Sequence, residues 1–447
     1  MKFHPSDLVL EEFYLSQNKE HQALLTHLVR CTRCSLHLQG VIDERAEHSA
    51  SGGGETLDEG DIDYGEILDR AESLLADREH ALAKERAAAP GLFVELMKLA
   101  PEQRRLLIRN SLRFRTWGIC ELLLERCIET TGQQPVAAEE LALLALEITA
   151  HLGSAYRANL IQDLQARGWA YLGNTRRVRS DFSGAETCFL KADACLKQGT
   201  RDPIELAIFL ELKASLRRAQ RRFDEALGLL RRAYTIFKRA GHAHRAGRCL
   251  VTMDTIHCYA GYPERGIPLL YQAIEMIDAD RNPRLELCAR HNLIDDLADV
   301  GRYLEAQKLY RDTRARYRSF PDDVTQLRRK WVKGKISLGL GRVIQAERLL
   351  LAVRDGFIVE DRAYDAALVS LEIANLYARK GRPADLKRLS QEMLPIFSSL
   401  QIHREALAAL TFLRKAMDAE QASFELVSRV AKYLRRAEHD PELRFEP

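Results

Sequence analysis

The chain has little that would place it quickly. Strand signals, short alternating or β-branched runs bounded by turn residues, are almost absent, which sets aside sandwiches, barrels and sheet-based enzyme folds. No apolar run is long enough to cross a bilayer. The longest, "LALLALEITAHL" from Leu141, carries Glu147 and stops short of the roughly 20 residues a span needs. The opening "MKFHPSDLVLEEF" lacks the apolar segment of a signal peptide. Neither sign of charge is in excess: 67 Lys+Arg against 64 Asp+Glu leave +3, too small a field to demand nucleic acid or an anionic membrane. Catalytic signatures are missing too. "SGGGETLDEG" has the glycines of a phosphate loop without its lysine or following helix, and there is no nucleophile elbow, catalytic carboxylate pair or zinc-protease helix. The nine cysteines are odd in number and scattered. Cys120/Cys127 and Cys188/Cys195 stand at helical i,i+7 spacing and read as small buried side chains in a reducing compartment, not as a disulfide framework. These absences together predict a cytosolic protein that is not an enzyme, has no membrane span and does not bind nucleic acid directly.

What is present is helical. Hydrophobic residues at 46% and charged residues at 29% suit a folded protein. The composition breaks once, at "HSASGGGETLDEGDID" from His48 to Asp63, which reads as a flexible linker. Ahead of it lie about forty residues with short helical patterns; behind it nearly everything is amphipathic helix. The helical part repeats itself. "DFSGAETCFLKA" from Asp181 aligns with "RFDEALGLLRRA" from Arg222, "YPERGIPLLYQA" from Tyr262, "RYLEAQKLYRDT" from Arg302 and "RVIQAERLLLAV" from Arg342, the last four starting forty residues apart. Small residues recur at Ala185, Ala226, Gly266, Ala306 and Ala346, and bulky ones four later at Phe189, Leu230, Leu270, Tyr310 and Leu350, so that helices can approach closely. Each such helix follows a turn and a partner helix, and a fainter sixth copy runs through "ALVSLEIANLYARKGRPADL".

This skeleton resembles the tetratricopeptide repeat, best kept in "WAYLGNTRRVRSDFSGAETCFLKA", residues 169 to 192, although the period exceeds the family's usual length. The resemblance implies an all-α, tetratricopeptide-repeat-like α-solenoid over residues 95–435, because helix pairs that cannot bury their apolar faces alone must stack. Residues 64–94 then form a connecting helix and 436–447 a tail, with "SFELVSRVAKYLRRAEHDPELRF" supplying a terminal capping helix.

A second motif stands in the first forty residues. In "THLVRCTRC", His27 lies one helical turn before Cys31, and Cys34 follows at the spacing that lets two thiolates meet one Zn2+ at about 2.3 Å. His4 offers a fourth ligand; two thiolates and two neutral imidazoles would cancel the charge of the ion. So few apolar positions bury little surface, and units that small generally need a metal or a disulfide to fold. His21 and His37 are the rival ligands. The arrangement resembles the zinc-binding anti-sigma domain of bacterial regulators. That resemblance assigns Zn2+ to His4, His27, Cys31 and Cys34 in a helical domain spanning residues 1–40, ahead of a linker at 41–63, and implies a sigma factor of the extracytoplasmic-function type as partner. Two departures stand out: redox-responsive members usually carry cysteine where His4 stands, and many relatives continue into a membrane span rather than repeats.

Basic runs raise the question of phosphate binding. Arg105, Arg109 and Arg113 form one stripe in "RRLLIRNSLRFR", and "TRRVR" and "RRAQRR" follow, but few aromatic stacking partners accompany them, so solvated helix faces are the reading. His291 and Asp295, at i,i+4, read as groove-lining or structural. By the tetratricopeptide resemblance, Arg167, Asn174, Arg177, Arg248, His291, Asp295, Arg328, Lys335 and Asn375 fall on the first helix of each pair and face a concave groove. Mostly basic and amide groups there imply an acidic or carboxylate-ended peptide. Two functions follow as expectations: a zinc-dependent anti-sigma regulator whose solenoid senses a peptide or protein, or a scaffold or adaptor of a cytosolic signalling or defence complex in which the zinc segment is a structural or docking piece.

Overall fold

The computed structural model describes residues 64–153, 156–399 and 424–437. The chain divides into two compact units, Met1–Lys84 and Glu85–Pro447. The zinc candidates His4, His27, Cys31 and Cys34, the domain at 1–40, the linker at 41–63 and most of the tail at 436–447 lie outside the described residues. Every described element is helical. In chain order they are α1 (Tyr64–Met97), α2 (Pro101–Asn110), α3 (Trp117–Thr130), α4 (Pro135–His151), α5 (Ala158–Val178), α6 (Phe182–Gln198), α7 (Pro203–Ala219), α8 (Phe223–Arg239) and α9 (Ala243–Tyr259). There follow α10 (Pro263–Met276), α11 (Pro283–Asp299), α12 (Tyr303–Asp312), α13 (Arg314–Arg318), α14 (Asp323–Gly339), α15 (Val343–Val359), α16 (Ala363–Arg379), α17 (Pro383–Ser399) and α18 (Phe424–Ala437). This is an all-α, tetratricopeptide-like solenoid.

Local chemistry sets the helix ends. Pro203, Pro263, Pro283 and Pro383 open their helices, where the missing N–H costs nothing. Carboxylate or amide oxygens of Asp181, Asp202, Asn282 and Asp322 accept first-turn backbone N–H groups at 2.8–3.0 Å. The turn between the two helices of a pair is a left-handed cap. Gly261, Gly301, Gly341 and Gly381 hold φ of 85°, 82°, 76° and 61°, forty residues apart. The next residue returns its N–H to the helix, as in Tyr262 to His257 at 2.9 Å, Arg302 to Leu297 at 2.8 Å and Arg342 to Ser337 at 2.8 Å.

The repeat's small-and-large skeleton is its core. Ala185, Ala226, Ala306 and Ala346 are fully buried, as are Phe189, Leu230, Leu270 and Leu350 four residues on, with Tyr310 nearly so. From α3 onward the chain runs as pairs: α3/α4, α5/α6, α7/α8, α9/α10, α11/α12, α14/α15 and α16/α17, each helix packing on the next. First helices of successive pairs also touch: α3 on α5, α5 on α7, α9 on α11, α11 on α14 and α14 on α16. They form the layer on which candidate side chains meet. The second helix of the fifth pair breaks at buried Thr313, and α13 turns Tyr317 into the core. Finally α18 closes the array on α16, burying Val427, Val430, Tyr433 and Leu434 while Leu426 is half-buried.

Candidate functional site

The nine groove candidates all lie on first helices, but most already have partners. On α5, Arg167 reaches forward to Glu205 of α7. From α9, Arg248 grips Glu211 of α7 with two bonds of 2.5 and 2.7 Å, and from α14 buried Lys335 holds Asp295 and Asp299 of α11, each at 2.5 Å. These pairs tie successive first helices to one another. Their worth is structural: breaking one leaves a half-buried charge behind. Thus Arg167, Arg248 and Lys335, expected from the sequence to present charge to a ligand, are instead neutralised across repeats. Tyr317 Oη and His291 Nδ1 are hydrogen-bonded at 2.8 Å, and burial pushes the imidazole down to about 4, so it stays neutral, while Asp295 is held by Lys335. Arg328 is exposed, and Asn375 is half-buried with its Oδ1 given no donor among the described residues.

Arg177 differs from the other cations. Its Nε and Nη2 donate to the Asn174 side-chain oxygen at 3.1 and 2.9 Å, and Asn174 is itself buried. Among the described residues no carboxylate pairs with it. Burial, and then the positive charge of Arg218 on the next first helix, push its guanidinium down to about 10. Arg177, Asn174 and Arg218 therefore make a polar spot at the α5–α7 step with spare donors and a field that attracts an anion. A carboxylate or phosphate is the group such donors suit.

Much of the remaining basic charge is paired with acids of the same chain, and Arg217, expected on a solvated face, is buried. Arg109 pairs with Glu147, Arg113 with Glu95, Arg176 and Arg179 with Glu139, and Arg217 with Glu186 and Glu225. Cys120, Cys127, Cys188 and Cys249 are buried thiols whose ionisation burial opposes; Cys195 and Cys258 are half-buried and Cys288 is exposed, so burial does not account for all of them.

One cluster went unnoticed in the sequence. Asp254 and Cys258 on α9 and Asp296 on α11 turn their oxygens and sulfur to within 4.8 Å of one another, both carboxylates buried. The signal was in the repeat register. At the position of Asp296 the flanking repeats carry Leu216, Ile256, Ile336 and Leu376, and at that of Asp254 they carry Ala214, Ile294, Gly334 and Ala374. Two acids thus replace core residues.

No protein-family model and no curated protein matches the chain. Solved structures do match its fold. A Rap protein crystallised with competence and sporulation factor has a TM-score of 0.52 at 12% identity, covering 70% of this chain and 87% of that one. The apo form of the quorum sensor NprR from B. thuringiensis gives 0.51 at 14% identity, with 71% and 92% covered. Aspartyl phosphate phosphatase F from Bacillus subtilis gives 0.50 at 14% identity, with 90% and 96% covered. At these identities the likeness is one of fold: the chain is built as the helical-repeat solenoids of those proteins are.

Proposed function

We propose that this protein is a cytosolic regulator or adaptor that binds a peptide or protein segment on its layer of first helices, with Arg177 and Arg218 receiving an acidic side chain or a terminal carboxylate. The observation that carries this reading is the spot at the α5–α7 step, where a largely buried guanidinium has an amide oxygen for company and no acid. A charge-assisted pair with an incoming carboxylate would remove the cost of leaving it so. The likeness to a quorum sensor and to a Rap protein bound to competence and sporulation factor supports a sensing solenoid, whereas the likeness to a phosphatase is a reminder that the fold hosts more than one activity.

A second reading rests on the spacing of His4, His27, Cys31 and Cys34 in the sequence alone: a zinc-held domain at the amino terminus that clamps a sigma factor of the extracytoplasmic-function type. One capture experiment separates the two. Full-length wild type, Arg177→Gln and Cys31→Ser/Cys34→Ser are each offered a library of acidic and carboxylate-ended peptides and the sigma factors of the host. The peptide reading expects retention of a peptide subset that Arg177→Gln weakens about 10- to 100-fold, the worth of about 1.5–3 kcal/mol for a charged hydrogen bond. It fails if Arg177→Gln binds every captured peptide as tightly as wild type. Sigma-factor retention lost only in the double cysteine variant would establish the second reading.

A further inference from the structure

The Asp254–Cys258–Asp296 cluster sits where α9, α10 and α11 meet, away from Arg177, and no cationic side chain among the described residues pairs with either carboxyl. Cys258 Sγ lies 3.1 Å from Asp296 Oδ1 and 3.7 Å from Asp254 Oδ1. Asn292 Nδ2 donates to Asp254 Oδ2 at 3.0 Å, which fixes that carboxylate and leaves Oδ1 turned inward. Asp296 Oδ2, on a residue 3% exposed, is buried and receives no N–H donor, while the Asp296 carboxyl shares a hydrogen bond with that of Asp254. The opposing helix α10 makes room: at Gly266, in the register where other repeats carry alanine, a Cβ would fall 2.1 Å from Asp254 Oδ1 and 2.9 Å from Asp296 Oδ2. An alanine at 266, as the other repeats carry, would thus collide with Asp254 across the interface.

Two carboxyls this close in a buried site cannot both be ionised unless a positive species joins them, and that species is a proton or a metal ion. We propose that Asp254, Cys258 and Asp296 form a binding site for a divalent, thiophilic cation, of which Zn2+ is the common case. A thiolate with two carboxylates is a donor set zinc accepts and magnesium or calcium would not choose. Asn292 serves as the outer partner that orients a ligand. Binding balances in charge and protons: the thiol loses its proton, the carboxyl pair loses the one it shares, and the ion's two charges replace them, so two protons leave for each ion bound. The ligands come from two different repeats, so the ion would act as a staple across the α9–α11 step.

The test uses full-length protein, stripped with chelator and titrated with Co2+, which reports a bound thiolate by a ligand-to-metal charge-transfer absorption. The Cys31→Ser/Cys34→Ser background removes the amino-terminal motif from the readout. In that background the expected result is one equivalent of cobalt with thiolate absorption, displaced by zinc, and a melting temperature raised by zinc. Adding Cys258→Ser abolishes the absorption, and adding Asp296→Asn, which keeps the side chain's shape, weakens binding at least tenfold while the far-ultraviolet helical signal is unchanged. No thiolate absorption in the double cysteine background overturns the proposal and leaves a shared proton as the occupant. Absorption that survives Cys258→Ser overturns it as well.

Discussion

Single side chains in this solenoid divide by whether their charge has an answer within the chain. Glu211 answers Arg248 and Asp295 answers Lys335, and these groups are spent on holding repeats together. Arg177 is answered by an amide, which is why it is the proposed ligand contact. His291 is a third kind, kept neutral by burial. Its folded-state pKa, about 4, lies below the unfolded value near 6.5, so between those limits the unfolded chain binds more protons. The contribution of His291 is therefore complete above about pH 6.5 and lost as pH falls toward 4. Denaturant midpoints measured across that range should decline less in His291→Gln than in wild type; identical slopes would show that the imidazole is solvated in the folded protein. Asp296 works in the opposite sense. Burial and the neighbouring Asp254 carboxyl raise its pKa, so without a metal its proton-linked stability is present at low pH and lost as pH rises. None of this was legible from residue type: histidine, aspartate and arginine are read in sequence as groove-lining, whereas partners from other helices decide which of them are free.

At the scale of the helix pair, the left-handed turn is the most regular feature and the easiest to test. Gly301 holds a φ of 82°, and a Cβ there would meet only the Tyr303 ring at an ordinary 4.0 Å, so Gly301→Ala should cost about 1–2 kcal/mol through backbone strain alone. The equivalent turn of the α5/α6 pair uses exposed Ser180 at a φ of 63°, and there Ser180→Gly should gain up to about 1 kcal/mol. Paired chemical denaturation of the two variants checks both signs, and a Gly301→Ala protein as stable as wild type would mean that the turn rearranges. The forty-residue spacing of these glycines is visible in the sequence, as are the alternating small and large core positions. The break of the fifth pair at Thr313 is not: nothing in "RYLEAQKLYRDT" interrupts the helical pattern, and past the break Tyr317 turns in to meet His291.

Among the described residues the buried core falls into two sets. One set of buried apolar residues runs from Ala89 to Ile336, and a second from Leu327 to Leu434. Both draw on α14, which gives Val332 and Ile336 to the first and Leu327 to the second. A repeat array couples only nearest neighbours, so this division should show in local stability. Phe357 is fully buried against the Trp331 edge, at 5.8 Å between ring centres, and Phe357→Ala should cost about 3–5 kcal/mol. Hydrogen exchange should then rise across α15 to α18 and stay unchanged from α3 to α10; an increase spread evenly over the chain would show one cooperative unit. Periodicity, turn glycines and the near-balance of charge were enough for the sequence to determine an all-α stack of helix pairs, because each pair's apolar face is written in a local pattern that can be buried only against its neighbour. Which charges are spent and which are free was settled only in three dimensions. The partner of a first-helix residue lies some forty positions away on another first helix, as Asp295 does from Lys335, and a local pattern carries no record of that distance.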